Sequence, residues 1–320
     1  MEYTKLGSTG TEVSRICFGT WRFAKESDGV VETDYETAHD LLDAAREHGI
    51  NFIDTANVYG SPSGTSEEWI GDWLADHDRE EFVLASKVYF DFADRPNGGG
   101  LGRKHIRDQI EGTLDRLGTD YLDLYYIHRW DDDTPVRETL RTLDRLVEEG
   151  KVNHLGASSM AAWKLTKALW TSDAEGLERF EVTQPRFNPA YREEVAGYLD
   201  LCADQGLAVC PYSPLEGGFL TGKYERDGTP PEGSRWDLQS WEDRFTEREW
   251  RVLDAVREVA DEVGATPAQV TLRWLMARDR FSCIPIIGAR TVEQMADDAG
   301  AADLSLSADQ RSHIDAAYAG

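Results

Sequence analysis

Short runs of β-branched and aromatic residues alternate with amphipathic stretches from one end of the chain to the other. The strand-like runs are Ile16–Thr20, Asn51–Asp54, Phe82–Lys87, Tyr121–His128, Val152–Ala157, Glu181–Gln184, Leu207–Tyr212 and Cys283–Gly288. Between them the helical period predicts Tyr35–His48, Ser66–Asp76, Lys104–Leu117, Thr134–Glu149, Met160–Trp170, Arg192–Gln205 and Glu247–Val263. In the first of these, Ala38, Leu41, Leu42 and Ala45 recur on one helical face, as a helix packed on a sheet requires. Glu47-His48-Gly49, Arg116-Leu117-Gly118 and Glu148-Glu149-Gly150 carry the glycine that commonly closes a helix. Eight strand–helix units imply an α/β fold, a closed (β/α)8 TIM barrel; a doubly wound open sheet is the alternative.

Tyr3–Leu6 and Glu12–Arg15 flank Gly7-Ser8-Thr9-Gly10, which predicts an N-terminal β-hairpin that would plug the barrel's N-terminal end. Ser307–Tyr318 reads as an extra C-terminal helix capped by Ser307. Two long segments, Asp91–Arg103 and Gly222–Arg244, follow strands and so fall on the face where barrel active sites form. No composition shift marks a domain boundary, so residues 1–320 read as a single domain.

Composition narrows the function classes. Asp and Glu number 60 against 34 Lys and Arg, a formal net charge of −26, which disfavours nucleic acid as a partner. Eight of the cationic residues are lysines. An acidic, lysine-poor surface suits a salt-rich cytoplasm, where screening removes self-repulsion, and this points to a halophilic source. No run of uncharged apolar residues is long enough to span a membrane, and the N-terminus has no signal pattern, so the expected location is cytoplasmic. Cys17, Cys202, Cys210 and Cys283 are scattered and read as reduced core thiols, and the seven histidines lack metal-ligand spacing. No metal is expected. The sequence sets no oligomeric state.

Three consecutive strand ends carry titratable groups: Asp54 in Phe52-Ile53-Asp54-Thr55-Ala56-Asn57-Val58-Tyr59-Gly60, Lys87 in Ala85-Ser86-Lys87-Val88, and His128 in Tyr125-Tyr126-Ile127-His128-Arg129-Trp130. In a barrel these would point into one mouth, with Tyr59 five residues beyond Asp54. Around these residues the sequence resembles the aldo-keto reductase family. Further matching stretches are Gly150-Lys151-Val152, Gly156-Ala157-Ser158-Ser159, Tyr212-Ser213-Pro214-Leu215, Leu220-Thr221-Gly222-Lys223-Tyr224 and Ile284-Pro285-Ile286-Ile287-Gly288-Ala289-Arg290.

The resemblance implies hydride transfer between a nicotinamide cofactor and a small-molecule carbonyl or alcohol. Aldehydes or ketones, sugars among them, would be reduced to alcohols. Tyr59 would be the general acid. Lys87 would lower its pKa from an ordinary value near ~10, Asp54 would fix Lys87, and His128 would orient the carbonyl. Thr20 and Trp21 would border the nicotinamide and Asp54 its ribose. Ser158, Ser159 and Gln184 would hold the carboxamide, Tyr212 would stack on the ring, and Ser213, Leu215 and Gly217 would line the pyrophosphate. Gly288, Arg290 and Gln294 would receive the adenosine end at a helix N-terminus. Arg290 favours NADPH over NAD, whereas Asp297-Asp298 stand where the family commonly has Glu-Asn. Trp21, Tyr89, Phe90 and Trp130, with Trp236 or Trp241 from the long loop, sketch an aromatic substrate pocket.

Gly217-Gly218-Phe219-Leu220-Thr221-Gly222-Lys223 fits part of a P-loop, but Tyr224 takes the place of the metal-binding hydroxyl, so it reads as a cofactor-covering loop. The alternative function, also suggested by the resemblance, is a nicotinamide-sensing regulatory subunit with slow chemistry.

Overall fold

The computed structural model describes residues 1–27, 30–232, 234 and 244–319. Trp236 and Trp241 lie outside the described residues. Two short antiparallel strands, Tyr3–Lys5 and Glu12–Ser14, form the expected hairpin. Its Leu6 and Val13 are fully buried among inward-facing residues of the barrel strands, each burial contributing about 1.5–3 kcal/mol. Gly7 makes the plug possible: it has φ +63°, and a Cβ there would stand 2.6 Å from the Glu181 carbonyl oxygen.

Eight parallel strands follow: β1 (Cys17–Gly19), β2 (Phe52–Asp54), β3 (Val83–Val88), β4 (Leu122–Ile127), β5 (Val152–Ser158), β6 (Phe180–Gln184), β7 (Ala208–Val209) and β8 (Ile286–Ile287). Their hydrogen-bonded order is β7-β6-β5-β4-β3-β2-β1-β8. The ring closes where Val209 donates its N–H to Ser282 and its carbonyl accepts from Ile284, at 2.8 and 2.9 Å. Ile286 then donates to the Pro211 carbonyl at 3.0 Å. β7 and β8 are shorter than their sequence runs because Pro211 and Pro285 lack the N–H a regular ladder needs.

The helices are α1 (Tyr35–Glu47), α2 (Thr65–Leu74), α3 (Arg103–Leu117), α4 (Val136–Glu148), α5 (Ala162–Glu175), α6 (Ala196–Gln205), α7 (Glu247–Val263), α8 (Pro267–Met276), α9 (Val292–Gly300) and α10 (Ala308–Ala319). Ala38, Leu41, Leu42 and Ala45 of α1 are buried as the period requires, and Asp34 caps it by accepting from the Thr37 N–H. The structure adds α8, which the amphipathic period did not single out. Its Ala268, Val270, Leu272, Trp274, Leu275 and Met276 are all buried, so its apolar positions wrap round the helix. Its start is marked by the Thr266–Gln269 capping box and Pro267. The chain before α6 is a single 3-10 turn, Glu193–Val195, where the sequence suggested continuous helix. Among the described residues no helix is long and apolar enough to cross a membrane.

Strand parity places the site. In β3, Val83 and Ala85 belong to the barrel interior while Leu84 and Val88 face the helices; Lys87 shares the inward parity. In β4 the interior residues are Leu124 and Tyr126, and the next on that face is His128. Phe52 leads in the same way to Asp54, and Val182 to Gln184. Because side chains alternate along a strand, these polar groups form the last inward-facing layer of a barrel otherwise filled with apolar side chains.

Candidate functional site

At that layer the Lys87 ammonium is fully buried and hydrogen-bonded on three sides. It donates to Asp54 Oδ1 at 2.5 Å, to the Thr55 carbonyl at 2.7 Å and to the Tyr59 hydroxyl oxygen at 3.2 Å. The other Asp54 oxygen accepts from Gln184 Nε2 at 2.8 Å. Burial alone would drive the Lys87 proton off, but Asp54 and Tyr59 together hold its pKa above the ordinary value. Burial raises the Asp54 carboxyl, against the pull of Lys87 and Gln184. The same enclosure raises Tyr59: its hydroxyl lies at the floor of the cleft, and desolvation there outweighs the lowering by Lys87. The sequence suggested a net lowering. The lysine acts in that direction, and burial exceeds it.

His128 stands edge-on to Tyr59, ring centroids 5.9 Å apart. Burial first, then the charges of Lys87 and Arg129, push its pKa down to about 2, so the ring is neutral at ordinary pH. Its Nδ1 is buried without a hydrogen-bond partner among the described residues. A neutral imidazole beside a protonated phenol gives two neutral donors or relays facing one small space, which suits a reacting carbonyl oxygen.

Asp54, Tyr59 and His128 line one end of a cavity of about 700 Å³ that runs out to the N-termini of α8 and α9. Trp21, Ser158, Ser159, Gln184, Tyr212, Ser213, Leu215, Gly217, Gly288, Arg290 and Gln294 line the same cavity. Thr20 does not. It is fully buried behind the wall, where its hydroxyl donates to the Asp54 carbonyl at 3.2 Å and meets Ser66 at 2.9 Å, so it buttresses the end of β2. Tyr89 and Trp130 pack half-buried against the main core, and the cavity wall is formed without them. Phe90 is outside the cavity lining as well, although its ring packs 4.9 Å from His128.

The wall after β7 was only partly legible. Ser213, Glu216, Gly217, Gly218 and Gly222 all have positive φ, a conformation that costs energy for the non-glycine residues. A buried clamp holds it. Glu216 pairs with Arg186 and accepts from Asn188 Nδ2 at 2.7 Å, and that same amide donates to the Ser213 carbonyl at 3.0 Å. Neither Arg186 nor Glu216 carries a sequence signal: they lie thirty residues apart on different strand–helix loops. Gln294 is engaged as well, since its Oε1 accepts from the Arg290 N–H at 2.9 Å while Thr291 caps α9.

Charge at the far end of the cavity is mixed. Lys223 lines it with Arg22 and Arg290, and its pKa is lowered by burial and by both arginines. Three cations crowded into one cleft suit a polyanion. Asp298 stands beside them, but burial and the neighbouring Asp297, which accepts from the Thr266 hydroxyl, raise its carboxyl to about 8, so its charge appears only as pH rises to that range. At the near end, Ser159 and Gln184 offer hydroxyl and amide groups able to match a carboxamide, and Tyr212 offers a ring. The donor set fits a nicotinamide dinucleotide, whose amide Ser159 and Gln184 would hold and whose phosphates Lys223 and Arg290 would meet.

The model for the Aldo/keto reductase family matches residues 15–319. An uncharacterised oxidoreductase of Bacillus subtilis, YrpG, is 37% identical over 96% of this chain and 92% of its own length. Norsolorinic acid reductase B of Aspergillus parasiticus is 36% identical over 96% of the chain and 81% of that protein. A probable voltage-gated potassium channel subunit beta of Arabidopsis thaliana is 32% identical over 95% and 92% respectively.

Proposed function

The chain belongs to the aldo/keto reductase family and is an NAD(P)H-dependent oxidoreductase. From that premise we propose that it reduces aldehydes or ketones with NADPH, Tyr59 being the proton donor. The observation that carries this reading is the buried Lys87 ammonium, salt-bridged to Asp54 at 2.5 Å and 3.2 Å from the Tyr59 oxygen.

When bound, the reduced nicotinamide supplies a hydride to the carbonyl carbon. The chain's own residues handle the oxygen and the proton. Because the Tyr59 oxygen accepts from Lys87, its own O–H remains available for the carbonyl oxygen, and burial keeps that proton in place until it is needed. As the carbonyl electron pair moves onto oxygen, the proton passes from Tyr59. The phenolate left behind faces the Lys87 charge in a water-poor cleft, where such an interaction is strong. Neutral His128 donates to the developing oxyanion. Asp54 and Gln184 hold Lys87 in line.

Arg290, Lys223 and Arg22 support NADPH, because a 2′-phosphate adds charge where cations gather. The acidic, lysine-poor composition supports function in a salt-rich cytoplasm, where screening shortens the reach of surface repulsion. A regulatory, nicotinamide-sensing role is the second reading, favoured by the name of the Arabidopsis relative. The test is NADPH oxidation over a panel of aldehydes and ketones in molar KCl, with Tyr59→Phe alongside. Turnover lost in that variant supports the reading, and turnover untouched by it overturns the role of Tyr59. Tight NADPH binding with no turnover on the panel favours the sensor.

A further inference from the structure

Arg129 directly follows His128, which lines the cavity, and is itself exposed. Its guanidinium carbon lies 5.8 Å from the Phe90 ring, and that ring packs against His128. Its charge reaches the His128 imidazole, whose pKa it helps to lower after burial and Lys87. Two of the three acids that follow it closely in sequence, Asp131 and Asp132, are committed elsewhere. Asp131 Oδ2 accepts from the Leu101 N–H and the Thr134 hydroxyl, each at 2.7 Å, and its Oδ1 accepts from the Asp133 N–H at 2.9 Å. Asp132 binds Lys164 at 2.8 Å. Among the described residues Arg129 forms no ion pair, although carboxylates outnumber cations 60 to 34 and arginines such as Arg179, Arg226, Arg248 and Arg257 each hold one or more.

In a chain of net charge −26, anions are repelled from most of the surface, and a guanidinium without an ion pair offers a local positive group for one to meet. Its planar fork matches a carboxylate or phosphate. Resting on the carbonyl-reductase reading, we propose that the substrate carries an anionic oxyacid group that pairs with Arg129. Its carbonyl then lies against Tyr59 and His128, and its body lies against Phe90. Such a carbonyl acid is reduced to the corresponding hydroxy acid, one hydride and one proton being added.

Two substrate pairs distinguish carboxylate from phosphate: 4-carboxybenzaldehyde against 4-methylbenzaldehyde, and glyceraldehyde 3-phosphate against glyceraldehyde. Each is assayed at fixed low ionic strength with wild type, Arg129→Met and Arg129→Lys. In at least one pair the wild type should favour the anion about twofold to fivefold in kcat/KM, the contribution of an exposed ion pair, expressed in KM. The preference should vanish in Arg129→Met, persist in part in Arg129→Lys and shrink with added salt. The proposal is overturned if both pairs favour the neutral aldehyde, or if the preference survives Arg129→Met. Absence of turnover on every aldehyde would count against the reductase reading instead. Charge selection is then decided by tryptophan-fluorescence titration of the NADPH complex with 4-carboxybenzyl and 4-methylbenzyl alcohol, equal affinities overturning it.

Discussion

The two ends of the cleft are held by different means. At the carbonyl end, Asp54, Lys87 and Gln184 sit on regular strands, are at most a few per cent exposed, and satisfy one another through short hydrogen bonds. At the end proposed to receive the cofactor, the wall from Ser213 to Gly222 includes five left-handed residues and is braced by one buried carboxylate, Glu216, reaching Arg186 and Asn188. The first end is fixed by the barrel itself, so disturbing it should affect folding and chemistry together. The second is fixed by a side-chain clamp, so disturbing it should change cofactor affinity and leave the barrel standing.

Lys87→Met breaks the comparison most severely. It leaves Asp54 buried without its cation, and removing one partner of a buried pair costs about 3–5 kcal/mol. Reductase activity should fall to background, and denaturant unfolding should shift by that amount. An unchanged unfolding midpoint would show that Asp54 finds another partner and that the barrel does not depend on this pair. Tyr59→Phe separates chemistry from folding at the same end: turnover should drop about 10²- to 10⁴-fold, with NADPH affinity and the unfolding midpoint close to wild type.

Glu216→Ala probes the clamp. It strands the buried Asn188 amide and removes a carboxylate from Arg186, a loss of about 1–3 kcal/mol. Stopped-flow fluorescence should show faster NADPH release and an affinity weakened about tenfold, while turnover at saturating cofactor is nearly retained. Glu216→Gln, which keeps one acceptor, should fall between. A turnover defect as large as that of Tyr59→Phe would erase the distinction between the two ends.

That distinction also explains what could be read from sequence. Asp54, Lys87 and His128 were legible as titratable groups at three consecutive strand ends, and Gln184 through the family resemblance; the structure adds that all four share the inward parity of Phe52, Ala85, Val182 and Tyr126. Thr20 shows the limit of that reading, because β1 ends at Gly19 and the residue after it turns behind the wall to meet Ser66. The Arg186–Asn188–Glu216 clamp was not legible, since it joins loops through side chains and obeys no period. α8 escaped because only Gln269 and Arg273 mark its outer face, a narrow polar stripe on a helix otherwise buried. The direction of the Tyr59 shift escaped for another reason: sequence shows a lysine nearby but not how much water the fold removes from the phenol.

The smallest expected effect lies at the cofactor end, at Asp298. Burial and Asp297 hold its carboxyl near 8, above the ordinary carboxylate range. The folded chain therefore keeps a proton that the unfolded chain gives up near pH ~4. The associated stability is fully present below that pH and is lost as pH rises towards about 8. The charge that appears near 8 also stands on the cavity wall shared with Lys223 and Arg290, so it should weaken binding of a phosphate-bearing cofactor. NADPH titrations from about pH 6 to about pH 9 should show wild-type affinity declining a few-fold through this range. In Asp298→Asn, which cannot ionise, the decline should be much shallower and the fall in melting temperature with pH correspondingly reduced. Parallel pH profiles for the two proteins would place the Asp298 carboxyl outside the reach of the bound phosphates.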